Sequence, residues 1–340
     1  MPRRHAAVLA TLASVLALLA SCRRGEPAYR DARLSPDVRA ADLLARMTPE
    51  EKFWQLFAIP DDTTLDVSVL RHGVYGLQVR PGPGGGGREV AARINALQRY
   101  LVTQTRLGIP MIAWEEGLHG LAQGGATVFP QAIALAATWD SSLVARVAAA
   151  IAREARARGI RQLLSPVLNV ATDVRWGRTE ETYGEDPLLA SRLGIAFVRA
   201  VEGAGVVTTP KHFVANVGEG GRDSYPIDLG ARWLEELHFP PFRAAVAAGG
   251  ARSVMAAYNS VEGAPASASR WLLSDQLRGE WGFDGVVMSD AGGVGGANVL
   301  HMTAPDYPTA AQRALEAGLD VILQTSARHA GLFQPAFAPG

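Results

Sequence analysis

Short apolar runs alternate with amphipathic helical stretches from about residue 37 onward, and this alternation limits the fold more than any other feature of the 340-residue chain. The helical stretches carry apolar residues three and four apart, as in Ala40-Leu43-Leu44-Met47, Val90-Ile94-Leu97-Leu101, Leu143-Val144-Val147-Ile151 and Leu188-Leu193-Phe197-Val201. Leu234-Leu237-Phe242-Val246 and Leu272-Leu273-Leu277 continue the series. Between them lie eight β-branched or apolar runs: Leu56–Pro60, Val74–Val79, Pro110–Trp114, Gln162–Val170, Val206–His212, Ser253–Asn259, Gly285–Asp290 and Asp320–Gln324. Runs without polar alternation suit strands buried on both faces, and strands alternating with helices imply a parallel sheet. Eight such units over residues 37–324 fit an α/β fold of the (β/α)8 TIM-like barrel type, with a doubly wound open sheet as the structural alternative. Residues 325–340 do not match a further amphipathic helix, so the final covering helix is expected to be incomplete.

Ionisable groups collect where the apolar runs stop. Pro110–Trp114 runs into Glu115, Glu116 and His119; Gln162–Val170 leads to Asp173, Arg175 and Arg178; Val206–Thr209 leads to Lys211 and His212. Val254–Ala257 ends in Tyr258 and Asn259, and Val286–Met288 ends in Ser289 and Asp290. The carboxyl ends of parallel strands converge on one edge or mouth, so Glu116, Arg175, Lys211, His212, Tyr258 and Asp290 are expected to meet there. Paired carboxylates and cations suit a polyhydroxylated substrate, and an Asp among fixed cations can act as a nucleophile on an anomeric carbon. Each residue also has a plainer role open to it. Asp290 before Ala291-Gly292-Gly293 can cap a turn, Lys211-His212 can be a surface pair, and Glu180, Glu181, Glu185 and Asp186 read as a solvated loop and the cap of a helix starting near Pro187.

Other chemistries find no support. Lys plus Arg and Asp plus Glu are both 33, so the chain lacks the basic excess a nucleic-acid binder needs. Glu116-Gly-Leu-His119 has the Glu-x-x-His spacing of a carboxylate-bridged metal pair, but that site needs two such motifs and only one is present; no metal and no cofactor is expected. The Pro81–Gly87 stretch lacks the Lys-Ser or Lys-Thr of a phosphate loop, and no Gly-x-Ser-x-Gly elbow occurs.

The amino terminus reads as an address. Arg3 and Arg4 precede the apolar run Ala6–Ala20, which is shorter than the roughly 20 residues a spanning helix needs. The run ends Leu19-Ala20-Ser21-Cys22, which resembles a bacterial lipoprotein box, and Cys22 is the only Cys in the chain. The expected layout is a lipoprotein-type signal at 1–21, a polar tether at 22–36, the catalytic body at 37–324 and an atypical tail at 325–340. The chain would be exported and held to a membrane by lipid on Cys22, facing the periplasm or the outside.

Ordered strings across the body resemble glycoside hydrolase family 3, specifically its N-terminal catalytic barrel. They run from Ala41-Asp42-Leu43-Leu44 and Met47-Thr48-Pro49-Glu50-Glu51-Lys52 through Gly108-Ile109-Pro110 and Gly125-Ala126-Thr127-Val128-Phe129-Pro130. Arg175-Trp176-Gly177-Arg178-Thr179-Glu180-Glu181, Gly184-Glu185-Asp186-Pro187, Lys211-His212-Phe213, Ser253–Asn259 and Gly285–Asp290 follow in order, to about Ile322. The resemblance implies a retaining exo-β-glycosidase that removes glucose or xylose from the non-reducing end of β-linked oligosaccharides or glycosides, hydrolysing the O-glycosyl bond. It implies Asp290 as nucleophile, forming a covalent glycosyl-enzyme, and Glu116, Arg175, Lys211, His212 and Tyr258 around the terminal sugar, with Met255 packed beside. Glucosidase members often carry Asp where Glu116 stands, and the Glu is closer to xylosidase or dual members. The N-acetylglucosaminidase branch has a loop similar to Lys-His-Phe-Pro-Gly-His-Gly; here Lys211-His212-Phe213-Val214-Ala215-Asn216 lacks the second His. In the glucosidase branch the acid comes from a C-terminal domain, so the sequence implies a separate domain or chain, or else a truncated or frame-shifted product; Glu181 and Glu115 stay open as internal acids. A lipid-tethered sugar-binding protein without turnover is the rival expectation.

Overall fold

The computed structural model describes residues 26–61, 67–82, 84–218 and 221–337. The signal, Cys22 and the start of the tether lie outside the described residues. The chain divides into two compact units, Met1–Thr48 and Pro49–Gly340. In the described part of the first, Ser35 caps the helix Pro36–Arg46, with Pro36 in its first turn. Tyr29 N–H donates to Asp42 Oδ2 at 3.0 Å and ties the preceding turn to that helix.

The second unit is built on parallel strands. Six form one sheet: β1 (Phe57–Asp61), β2 (Gly76–Val79), β3 (Ile112–Glu115), β4 (Gln162–Leu163), β5 (Val207–Thr208) and, beside β1, β10 (Ile322–Leu323). β6 (Ser253–Ala256) and β9 (Val286–Ser289) form a parallel pair, with a small antiparallel hairpin, β7 (Ser260–Val261) and β8 (Ala264–Pro265), between them in the chain. Single parallel bridges link Phe213 to Ala256 and Met288 to Val321. Gly76 is required where β2 meets β3: a Cβ there would stand 2.4 Å from the Ile112 carbonyl oxygen.

Helices follow the strands as their periodicity dictates. Asp140 caps Ser141–Ala157, accepting from Ser142 N–H at 2.9 Å and Leu143 N–H at 3.0 Å. That helix buries Val144, Val147, Ala148, Ile151, Ala152 and Ala155 on one face. Asp186 caps Pro187–Gly203, whose buried stripe includes Leu193, Phe197, Val198 and Val201. Each fully buried Leu, Val or Phe contributes about 1.5–3 kcal/mol, so these stripes are what fix the helices to the sheet.

The structure shortens two expected strands. Gln162–Val170 forms regular strand only over Gln162–Leu163, and Val206–His212 only over Val207–Thr208, and the two runs meet again at a single parallel bridge between Val167 and Lys211. Pro166 and Pro210 lie in these runs and carry no N–H, so each interrupts the ladder, which resumes beyond them where Lys211 N–H donates to the Pro166 carbonyl at 2.9 Å. The expected helix over Leu234–Val246 alternates α and π turns around Pro240-Pro241, and Trp271–Glu280 is a π-helix. After β10 the chain forms a short helix, Ala327–Gly331, capped by Ser326, and then a turn at Gln334–Phe337. The segment lacks helical periodicity but packs through Ala330 and Phe333, both fully buried.

Candidate active site

β3, β5, β6 and β9 each deliver polar residues just past their last paired residue. Glu116 follows β3, Lys211 and His212 follow β5, Tyr258 follows β6 and Asp290 follows β9. These are the carboxyl ends of parallel strands, the edge where such sheets bind ligands.

The structure joins Lys211 to Glu116: the ammonium donates to both carboxylate oxygens, at 2.9 Å and 2.7 Å. Lys211 is buried, whereas Glu116 is partly open. Asp290 is buried at the end of β9. Its Oδ1 accepts from Ala291 N–H at 2.7 Å, while Oδ2 has no hydrogen-bond partner. His212 Nε2 is 3.5 Å from that Oδ2. Burial lifts the Asp290 carboxyl to about 6, against the pull of the Lys211 and Arg178 cations, the Ala291 N–H and the Tyr258 hydroxyl. The neutral Tyr258 acts on this carboxylate through its hydroxyl, and burial together with the Asp290 charge holds the phenol well above its usual range. Burial, reinforced by Arg178, Lys211 and Arg222, holds the His212 imidazole far below its usual value, so the ring is neutral.

Arg175 is not brought into this group. It is exposed and bound to Asp173, its Nε and Nη2 meeting that carboxylate, which the pairing holds down at about 2. The guanidinium whose field reaches Asp290 and His212 belongs to Arg178, three residues on and buried. Arg178 donates to both oxygens of Glu181, at 2.9 Å and 2.8 Å, and to Asp223 Oδ1 at 3.1 Å. Glu181 is therefore a half-buried partner of Arg178 and not part of a solvated loop, because the turn Thr179–Glu181 folds it back onto the guanidinium. Met255 lies in the buried cluster with Trp114, Leu164 and Met288 beneath the polar residues.

Two residues invisible to the strand-end argument support the site. Asn169 binds His212 through three contacts. Asn216 donates to Asp223 at 3.0 Å. The signal for Asn169 was present: it is a lone amide in the buried run Leu163–Val170, and buried polar groups need partners.

Neither open acid is placed as a proton donor. Glu115 is fully buried and accepts from Gln78 at 2.6 Å, from Gln123 at 3.0 Å and from Glu116 N–H at 2.9 Å; burial raises its carboxyl. Glu181 accepts both Arg178 bonds. His119 Nδ1 contacts the Phe129 carbonyl at 2.9 Å, and no cluster of three metal-ligating side chains occurs among the described residues. A cavity of about 530 Å³ lies between the loops after β4 and β5, lined by Asp173, Val217, Tyr225 and Asp228, but not by Asp290.

A parallel α/β sheet with a buried carboxylate, a neutral imidazole and buried cations at its carboxyl edge has the makings of a carbohydrate-active site. Residues 49–334 match the glycosyl hydrolase family 3 N terminal domain, and the chain belongs to that family. It is 43% identical over 233 residues to a beta-xylosidase of Formosa agariphila, covering 64% of this chain and 32% of that one. It is 34% identical over 300 residues to a periplasmic beta-glucosidase of Salmonella typhimurium, covering 85% of this chain and 38% of the relative. Among solved structures, a β-glucosidase from Erythrobacter marinus superposes with a TM-score of 0.82 at 34% identity, over 92% of this chain and 46% of that chain. The chain thus spans about a third of the length of these two curated relatives and just under half of the solved chain.

Proposed function

We propose that this chain is the nucleophile-bearing part of a retaining β-glycoside hydrolase that acts on the non-reducing end, with Asp290 attacking the anomeric carbon of a glucoside or xyloside. The observation that carries this is Asp290 itself: a buried carboxylate with one oxygen fixed by Ala291 N–H and the other unpartnered. An attacking oxygen needs that arrangement, oriented but not occupied. Arg178 and Lys211 supply the positive field that favours its ionised form. The Lys211–Glu116 pair offers donors and acceptors to vicinal hydroxyls, and Tyr258 and His212 complete the subsite. The parallel bridges Phe213–Ala256 and Met288–Val321 support joining the six-stranded sheet and the β6–β9 pair into a (β/α)8-type barrel with this pocket at its mouth.

The proton for the leaving oxygen comes, in this proposal, from a separate domain or chain. Glu115 and Glu181 are engaged as acceptors, and the charges that act most on Asp290 are cations. A dinitrophenyl 2-fluoro-glycoside needs little protonation of its leaving group, so it tests the nucleophile alone. Mass spectrometry is expected to find the fluoro-sugar on the peptide containing Asp290, at a rate that rises through about pH 6 as the carboxyl ionises. No adduct from either the glucosyl or the xylosyl reagent would sink the assignment.

A further inference from the structure

His212 is held by one side chain in a way that decides which of its ring nitrogens carries the proton. Asn169 Oδ1 accepts from His212 backbone N–H at 2.8 Å, and Asn169 Nδ2 donates to the His212 carbonyl at 2.9 Å. A backbone N–H can only donate and a carbonyl can only accept, so these two bonds fix the orientation of the amide. Its oxygen is therefore the atom that stands 2.9 Å from His212 Nδ1. An amide oxygen accepts and never donates, so Nδ1 must bear the hydrogen. Both residues are about 1% exposed, which leaves no water to compete for these bonds. In the neutral ring Nε2 then carries only a lone pair.

That lone pair faces Asp290 Oδ2 across 3.5 Å, and Oδ2 is a second acceptor without a partner. Two bare acceptors side by side gain nothing from each other, and both are suited to a hydroxyl that brings its own hydrogen. We propose that Asn169 is a positioning residue that locks His212 as the Nδ1–H tautomer, so that His212 can only accept a hydrogen bond from a hydroxyl of the bound ring. The proposal deepens the glycosidase assignment and relies on it for the identity of the ligand, but the tautomer itself belongs to the free protein. It carries a consequence for Asp290. An Nε2–H tautomer would donate to Oδ2 and occupy the attacking oxygen, whereas the locked form leaves that oxygen bare.

Long-range 15N–1H correlation spectra of the 15N-labelled protein read the tautomer directly, with the His212 signal identified by its loss in His212→Gln. At pH 7 the wild type is expected to show Nδ1 protonated and Nε2 bare, unchanged down to pH 5.5. The charged groups acting on the ring, Arg178, Lys211 and Arg222, all oppose its protonation, and among the described residues Asp290 is the one carboxylate within ion-pair distance of it. An Nε2–H ring, or an imidazolium at pH 7, overturns the proposal without reference to any variant. Asn169→Asp retains oxygen acceptors but adds a negative charge against Nδ1, so the ring is expected to become doubly protonated at pH 7. Labelling of Asp290 should then slow by about 10–100-fold, because the imidazolium Nε2–H would donate to Oδ2 and a hydrogen bond to a charged group must be given up before that oxygen attacks. A merely structural Asn169 would lower the melting temperature of that variant and leave the ring neutral. If the locked tautomer is found and the fluoro-sugar never reacts, the fault lies with the glycosidase assignment and not with the lock.

Discussion

Asp290 shows what a single carboxylate costs the fold that holds it. Burial raises its carboxyl from 3.8 to about 6, so the folded state holds the proton more tightly than the unfolded chain does. Stability from this group is therefore greatest below about pH 4, falls as pH rises through the window between about 4 and 6, and stays lowered above it. The rise from 3.8 to about 6 corresponds to about 3 kcal/mol. Asp290→Asn removes the buried charge and keeps the shape. It is expected to accept no fluoro-sugar, yet to be more stable than wild type by about 1–3 kcal/mol at pH 8, with little difference at pH 4. Urea titrations at the two pH values check this, and a variant less stable than wild type at pH 8 would contradict the burial argument. The residue scale is also where the sequence was hardest to read. Asp290, Lys211, His212 and Glu116 were legible because they end apolar runs. Arg175 and Arg178 occupy one loop, and nothing in their spacing says which turns inward; the half-buried acceptors Glu181 and Asp223 decide it.

Among the elements, long helices were legible and short strands were not. Helices such as Ser141–Ala157 and Pro187–Gly203 announce themselves by periodic apolar residues and by Asp140 and Asp186 at their caps. β4 and β5 lie in longer apolar runs that look like full strands, because burial and pairing leave the same mark on a sequence while only pairing needs an N–H at Pro166 and Pro210. The segment after β10 is the converse case. It lacks any amphipathic repeat, yet Phe333 packs against Phe57 of β1 with ring centroids 6.0 Å apart and against Tyr307 at 5.3 Å. Phe333→Ala is expected to cost about 3–5 kcal/mol, since a fully buried ring would leave a cavity beside β1. Thermal or urea melting measures it; a loss below about 1 kcal/mol would mean that the segment is not part of the core.

On the scale of the whole molecule, attachment to a membrane is the open question. No helix among the described residues is long and apolar enough to cross a membrane. We propose that the Leu19–Cys22 string supplies the attachment, placing the chain on a membrane as an exported lipoprotein. Metabolic labelling with a fatty-acid analogue in a bacterial host is expected to mark the wild type and not Cys22→Ala; equal labelling of both would remove the anchor from the account. The barrel-type layout was read from the alternation of runs, and the family from ordered strings that the match over residues 49–334 bears out.

The Lys211–Glu116 pair gives the pocket a threshold. Without ligand, the ammonium and the carboxylate already satisfy each other through two short bonds. A guest that loosens this closed circuit must hand back a donor to Glu116 and an acceptor to Lys211 at the same time, from neighbouring positions on one rigid frame. A simple alcohol can offer both only from a single oxygen, and a floppy diol loses conformational freedom to do so. A pyranose ring, with adjacent equatorial hydroxyls already set at the right spacing, makes the exchange without that loss. Under the proposed function, the resting ion pair would act as a valence filter, turning away molecules with too few hydroxyls before the buried oxygen of Asp290 is reached.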